Sequence, residues 1–205
     1  MEKLARKSWT QRVFVLCQYQ NDGPFPISFN AKAPYCLRMS ELGGFDFDVE
    51  AGLTYNVALI EDYTFGDDFD TFMLNVLPHS MEEYDRIRRD RSVKIRRDDK
   101  IKLTVIAVLE EALKYQNIII DYICLSEDDK QDYRARLFEG WFAEFADDSK
   151  YTLLTTSLTV GKVTNYLGAF LRRDNELYDV FCAAFKQFDK DIHKDEAWNI
   201  QVSEI

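Results

Sequence analysis

The sequence predicts an α+β fold on a mixed sheet: a three-strand meander, a helix-strand-helix crossover and a C-terminal hairpin, with helices packed on the sheet. Three observations carry that prediction. Residues 45–77 hold apolar residues at the two-residue period of strands, interrupted by turn signals. From Asp99 the period changes: Ile101, Val105, Val108, Leu109, Ala112 and Leu113 form one helical stripe. Asn117–Leu125 (NIIIDYICL) is then a near-continuous apolar run between two helical segments, which suits an interior strand reached by a crossover.

Taken in order, residues 1–44 read as an N-terminal extension packed on the main domain. Arg12–Tyr19 is β-rich and apolar, so a buried strand is expected there. Asn21 to Gly44 collects Pro24, Pro26, Pro34 and three of the eight glycines, the composition of an irregular connection with one short strand at Ile27–Phe29. The main α+β domain is placed at 45–194. Phe45–Val49 alternates apolar with acidic, the pattern of a half-exposed strand; Glu50-Ala51-Gly52 turns the chain, and Leu53–Ile60 returns. Phe69–Leu77 is the third strand, stopped by Pro78, and residues 78–97 form a charged connection with some helical content.

After the central strand, Ser126-Glu127-Asp128-Asp129 is a capping signature for a helix starting at 127. Tyr133, Leu137, Phe138, Trp141 and Phe145 follow at helical spacing, with Trp141 expected in the core. Tyr151–Val160 and Asn165–Arg172 make a hairpin turning at Gly161-Lys162. The last helix begins near Glu176, and residues 195–205 form a tail with one strand-like fragment.

Composition excludes several chemistries. The 205 residues are enough for one domain with a substantial core, and 46% hydrophobic content argues against disorder. No apolar run approaches the ~20 residues of a membrane span. Trp9-Thr10-Gln11-Arg12 stands where a secretory signal needs its apolar segment, so a cytoplasmic protein without membrane partners is expected. Cysteines at 17, 36, 124 and 182 form no CxxC pair and are expected to be reduced. Two histidines, His79 and His193, leave no zinc motif, and no metal or cofactor is implied. The net charge of −10 argues against general nucleic-acid binding.

Within this acidic chain lies a basic island. From Arg86 to Lys102 there are nine Lys or Arg residues and three Asp, a local +6, so the rest sums to −16. The island runs into a helix start, where backbone amides and cationic side chains can hold an anion. Arg88, Arg89, Arg96, Arg97 and Lys100 are therefore the anion-binding candidates, together with Arg134. Against this stand two other readings: a solvated, ion-paired surface using Asp90, Asp98 and Asp99, and docking to the acidic surface of a protein partner or a second copy.

The remaining constellations are weighed the same way. Arg134-x-Arg136-Leu-Phe-x-x-Trp141 reads as a core aromatic stripe with ion-paired arginines, or as an anion clamp at a sheet edge. The acidic segment Glu61-Asp62…Asp67-Asp68…Asp70 lacks the register of a calcium loop and reads as a solvated turn. Cys124 ends a central strand, where α/β ligand sites form, but only a histidine brought near in space could activate it. Tyr122, Ser126 and Tyr133 lie near the same strand end as general-acid candidates. No catalytic residue is assigned.

The order from residue 45 to 172 resembles the C-terminal portion of GNAT-type acyltransferases. That resemblance implies a GNAT-like sheet and a cofactor helix preceded by a Gln/Arg-x-x-Gly-x-Gly/Ala pyrophosphate loop. Here the loop would be Arg96-Arg97-Asp98-Asp99-Lys100-Ile101, with Asp99 and Ile101 where glycines let the backbone reach phosphate. In Tyr55–Ile60, in Ile120-Asp121-Tyr122-Ile123-Cys124, and above all in Arg134-Ala135-Arg136-Leu137-Phe138-Glu139-Gly140-Trp141, residues 45–190 also resemble an uncharacterised bacterial domain family of unknown function. It brings no activity or ligand. The expectation is a non-enzymatic interaction or regulatory module that binds a protein partner, or itself, through charged surfaces. The alternative is a divergent acyltransferase-like enzyme or binder of a phosphorylated ligand, held by side chains of the basic island.

Overall fold

Ile118–Ile120 are almost fully buried, and around them stands a seven-stranded mixed sheet. The computed structural model describes residues 32–90, 98–114, 117–125, 130–145, 147 and 149–202. The strands expected at 12–19 and 27–29, and the helix start at 127, lie outside these residues.

The strands are β1 (Arg38–Met39), β2 (Phe45–Asp48), β3 (Thr54–Asp62), β4 (Asp70–Pro78), β5 (Ile118–Cys124), β6 (Tyr151–Val160) and β7 (Val163–Arg172). They run in the order β1-β2-β3-β4-β5-β7-β6. β5 is parallel to β4, with Asp70 to Met73 opposite Ile118 to Asp121, and antiparallel to β7. The helices are α1 (Met81–Arg89), α2 (Asp99–Ala112), α3 (Gln131–Phe145) and α4 (Tyr178–Val202). None is long and apolar enough to cross a membrane, among the described residues.

The helical content expected within residues 78–97 is α1, and the last helix runs further than expected. α1 forms inside the charged connection because Ser80 accepts the Glu83 N–H at 3.2 Å and Glu82 and Glu83 fill the first turn. α4 continues through Val202, so the strand-like fragment of the tail is helical.

The chain divides into two compact units, one of Leu74–Lys114 and the described residues through Glu61, the other of Asp62–Met73 and the described residues after Lys114. The first buries Phe47 and Val57 of its strands with Val105 and Val108, which belong to the stripe that the helical period marked out. Tyr35 and Tyr55 both stack on Phe47, at ring-centroid distances of 5.8 and 6.0 Å.

The second unit is layered. On one face of its strands, Ile119, Leu167, Ala169 and Leu171 pack with Phe181 and Phe185 of α4. Phe65, from the loop after β3, packs against this cluster through Phe181, Phe185 and Phe188. On the opposite face Tyr122 and Phe170 meet Phe138 and Phe142 of α3. Asn175 joins the layers, accepting the Leu177 N–H and reaching the Ile118 carbonyl at 3.5 Å.

Candidate functional sites

A helix start can hold an anion only if its amides are open, and at α2 they are not. Asp98 is the N-cap: its carboxylate accepts the Lys100 N–H at 3.0 Å, and its carbonyl accepts that of Ile101 at 3.2 Å. The same carboxylate accepts the Tyr35 hydroxyl at 2.5 Å. Burial and that bond push the Tyr35 phenol up to about 12, so it stays a neutral donor. Asp98 and Asp99 thus place negative charge where a phosphate would need to sit.

The cationic candidates are placed as follows. Lys100 is ion-paired with Glu50, and its ammonium lies 5.7 Å from the Tyr35 ring centroid. Arg134 donates to the Leu125 carbonyl, which ties α3 to the end of β5. Arg89 is paired with Asp85 at 3.7 Å one turn back on α1, beside Arg86 with Glu83 at 3.2 Å. Arg86 and Arg89, with Ser80, Glu82, Glu83 and Asp85, line an open dish. Arg88 belongs to α1, but its side chain lies outside the described residues, as do Arg96 and Arg97.

A second cluster went unread in the sequence. Asp46 alternates with Phe45 and Phe47 and was expected on the solvent side of its strand. It is instead 8% exposed, held between two neighbours. Its Oδ1 accepts Asn56 Nδ2 at 3.0 Å across the β2–β3 pair, and its Oδ2 lies 3.3 Å from His79 Nδ1. Asn56 also donates to the Gly43 carbonyl at 2.9 Å, and His79 N–H donates to the Thr54 carbonyl at 2.8 Å. Asn56 therefore fixes the carboxylate, and the carboxylate orients an imidazole whose side chain is 40% exposed. An imidazole oriented by a carboxylate and partly open to solvent can exchange protons with a bound molecule.

Cys124 is buried, and burial pushes its thiol up to about 11 despite the opposing influence of Arg134. An activated thiol needs the opposite shift. Tyr122 is buried among aromatic rings and raised by desolvation, while Tyr133 is exposed. Ser126 lies outside the described residues. Trp141 is half-buried rather than a core residue, touching Phe138 edge-to-face at 5.4 Å.

Asp121 is the other group that pattern reading passed over. It stands mid-strand in β5 with 0% exposure, and neither carboxyl oxygen has a hydrogen-bond partner among the described residues. Burial, then the nearby Asp62 carboxyl, pushes it up to about 8.

These features define a mixed α+β protein with a histidine oriented by a buried carboxylate, a charged surface helix and a helix start whose first amides are capped. Residues 97–187, a little under half of the chain, match a family of unknown function (DUF6169). The matched stretch is similar to that family from the approach to α2 into α4. No curated protein and no solved structure matches the chain significantly.

Proposed function

We propose that this protein is a non-enzymatic interaction module that docks a protein partner through the charged surface of α1. The observation that supports this reading most directly is the state of Arg86 and Arg89. Their side chains are 73% and 82% exposed and pair only loosely with carboxylates of their own helix. Such pairs contribute ~0.3–0.5 kcal/mol each, so a partner's carboxylates can replace them at little cost. Leu77 and Met81, 50% and 58% exposed, add apolar area beside the same helix. Long-range attraction would orient the encounter, and the apolar contact would slow release.

A second reading is favoured by one specific feature, the His79–Asp46–Asn56 relay. In a divergent acyltransferase-like enzyme, His79 would take the proton of the attacking acceptor, with Asp46 stabilising the imidazolium. The parallel β4–β5 pair and the helix-strand-helix order are compatible with that reading. The closed α2 start weighs against a phosphorylated cofactor bound in the usual way.

Native mass spectrometry of the protein purified from its own host separates the two. A stoichiometric protein complex that dissociates in Arg86→Glu/Arg89→Glu supports docking through α1. A co-purifying acyl or phosphorylated small molecule, lost in His79→Ala, supports the enzyme.

A further inference from the structure

Thr71 and Asp121 raise a question of charge and hydrogen bonding that neither reading above answers. Thr71 is the register partner of Ile119, and Met73 that of Asp121, on the parallel strands β4 and β5. Side chains two apart on a strand share a face, as do register partners, so Thr71 and Asp121 project to the same side of the sheet. Both are buried, at 2% and 0% exposure. Thr71 Oγ1 and both Asp121 oxygens lack hydrogen-bond partners among the described residues. Asp62, the last residue of β3, is the second carboxyl, and its charge is felt at Asp121. One of its oxygens accepts the Thr64 N–H at 3.0 Å, which fixes the start of the loop carrying Phe65.

We propose that Asp121, Asp62 and Thr71 form a binding site for a hard divalent cation, Mg²⁺ or Ca²⁺. Buried polar atoms are otherwise almost always bonded, and buried charges are paired or coordinate metals. The donors are all oxygen, two carboxyls and a hydroxyl, the set that hard cations select over zinc or copper. A cation between the carboxyls removes their mutual repulsion and gives the orphaned Asp121 oxygens a partner. The acidic segment after β3 lacks the register of a calcium loop, but a strand distant in sequence supplies the missing carboxylate. Because Asp62 opens the loop whose Phe65 packs on Phe181, Phe185 and Phe188, an ion here would also hold that loop against α4.

The test uses the full chain, stripped with EDTA and dialysed, and melted with MgCl₂, with CaCl₂, or with NaCl at matched ionic strength. The proposal expects one divalent salt, and not NaCl, to raise the melting temperature by about 5–10 °C at ~100-fold excess over its Kd. The ion giving the larger rise is the one the site prefers. Calorimetry should count one ion per chain. Asp121→Asn should abolish the rise, and Asp62→Asn should abolish it independently, so the test survives if one variant fails to fold. Equal melting in all three salts would overturn the proposal, as would an undiminished rise in a folded Asp121→Asn or Asp62→Asn variant.

Discussion

The ring of Tyr122 lies over the backbone of Gly168, its register partner on β7, so closely that position 168 has no room for a side chain. A Cβ there would fall 2.3 Å from the ring carbons Cε1 and Cζ. Tyr122 cannot step aside, because it is 1% exposed and packed between Phe138 and Phe170. Gly168→Ala should therefore destabilise the fold by about 1–3 kcal/mol, the usual effect of overpacking. Denaturant titration checks this. Gly140→Ala is the control: a Cβ there meets nothing within 4 Å, and alanine favours its helix, so stability should hold or rise.

Asp121 makes stability depend on pH in a direction opposite to that of most carboxylates. Its carboxyl is raised from 3.8 to about 8, so between those values the folded chain holds a proton that the unfolded chain has released. Its contribution is full below about pH 4, falls as pH rises toward 8, and is then constant. The slope in the window is at most ~1.4 kcal/mol per pH unit. Urea unfolding in EDTA at a series of pH values should show this decline, and Asp121→Asn should flatten it.

Acetyl-CoA should not bind with micromolar affinity, because Asp98 takes up the first amides of α2 and Asp99 adds charge beside them. Calorimetry at low salt checks this. A stoichiometric, low-micromolar complex would mean that the pyrophosphate is held elsewhere than at this helix start.

Much of the architecture was legible because it rests on local period. The continuous run at Ile118–Ile120 announces a strand buried on both faces, the stripe through Val105 and Val108 one buried helix face, and those residues are in the core. The hairpin turn at Gly161 was legible because its φ of +66° favours glycine. Helix α1 was legible only as helical content within a charged connection, because its start is set by the Ser80 cap rather than by an apolar run. The His79–Asp46–Asn56 relay and the orphaned Asp121 were invisible for another reason. Strand alternation assigns a residue to a face but cannot say what covers that face, and these groups meet only after pairing. Trp141 fell short of the core because helical spacing gives a direction, not a depth of burial.

The central claim is that the exposed cations of α1 recruit a protein partner, and association kinetics test it most directly. The partner isolated by native purification is mixed with wild type and with Arg86→Glu/Arg89→Glu in a stopped-flow instrument across a salt series. The account predicts slower association of the variant at low salt and a flattened salt dependence, with the melting temperature within a few degrees of wild type. Unchanged association rates together with a lowered melting temperature would contradict it, and would make these arginines partners of the chain's own acidic residues.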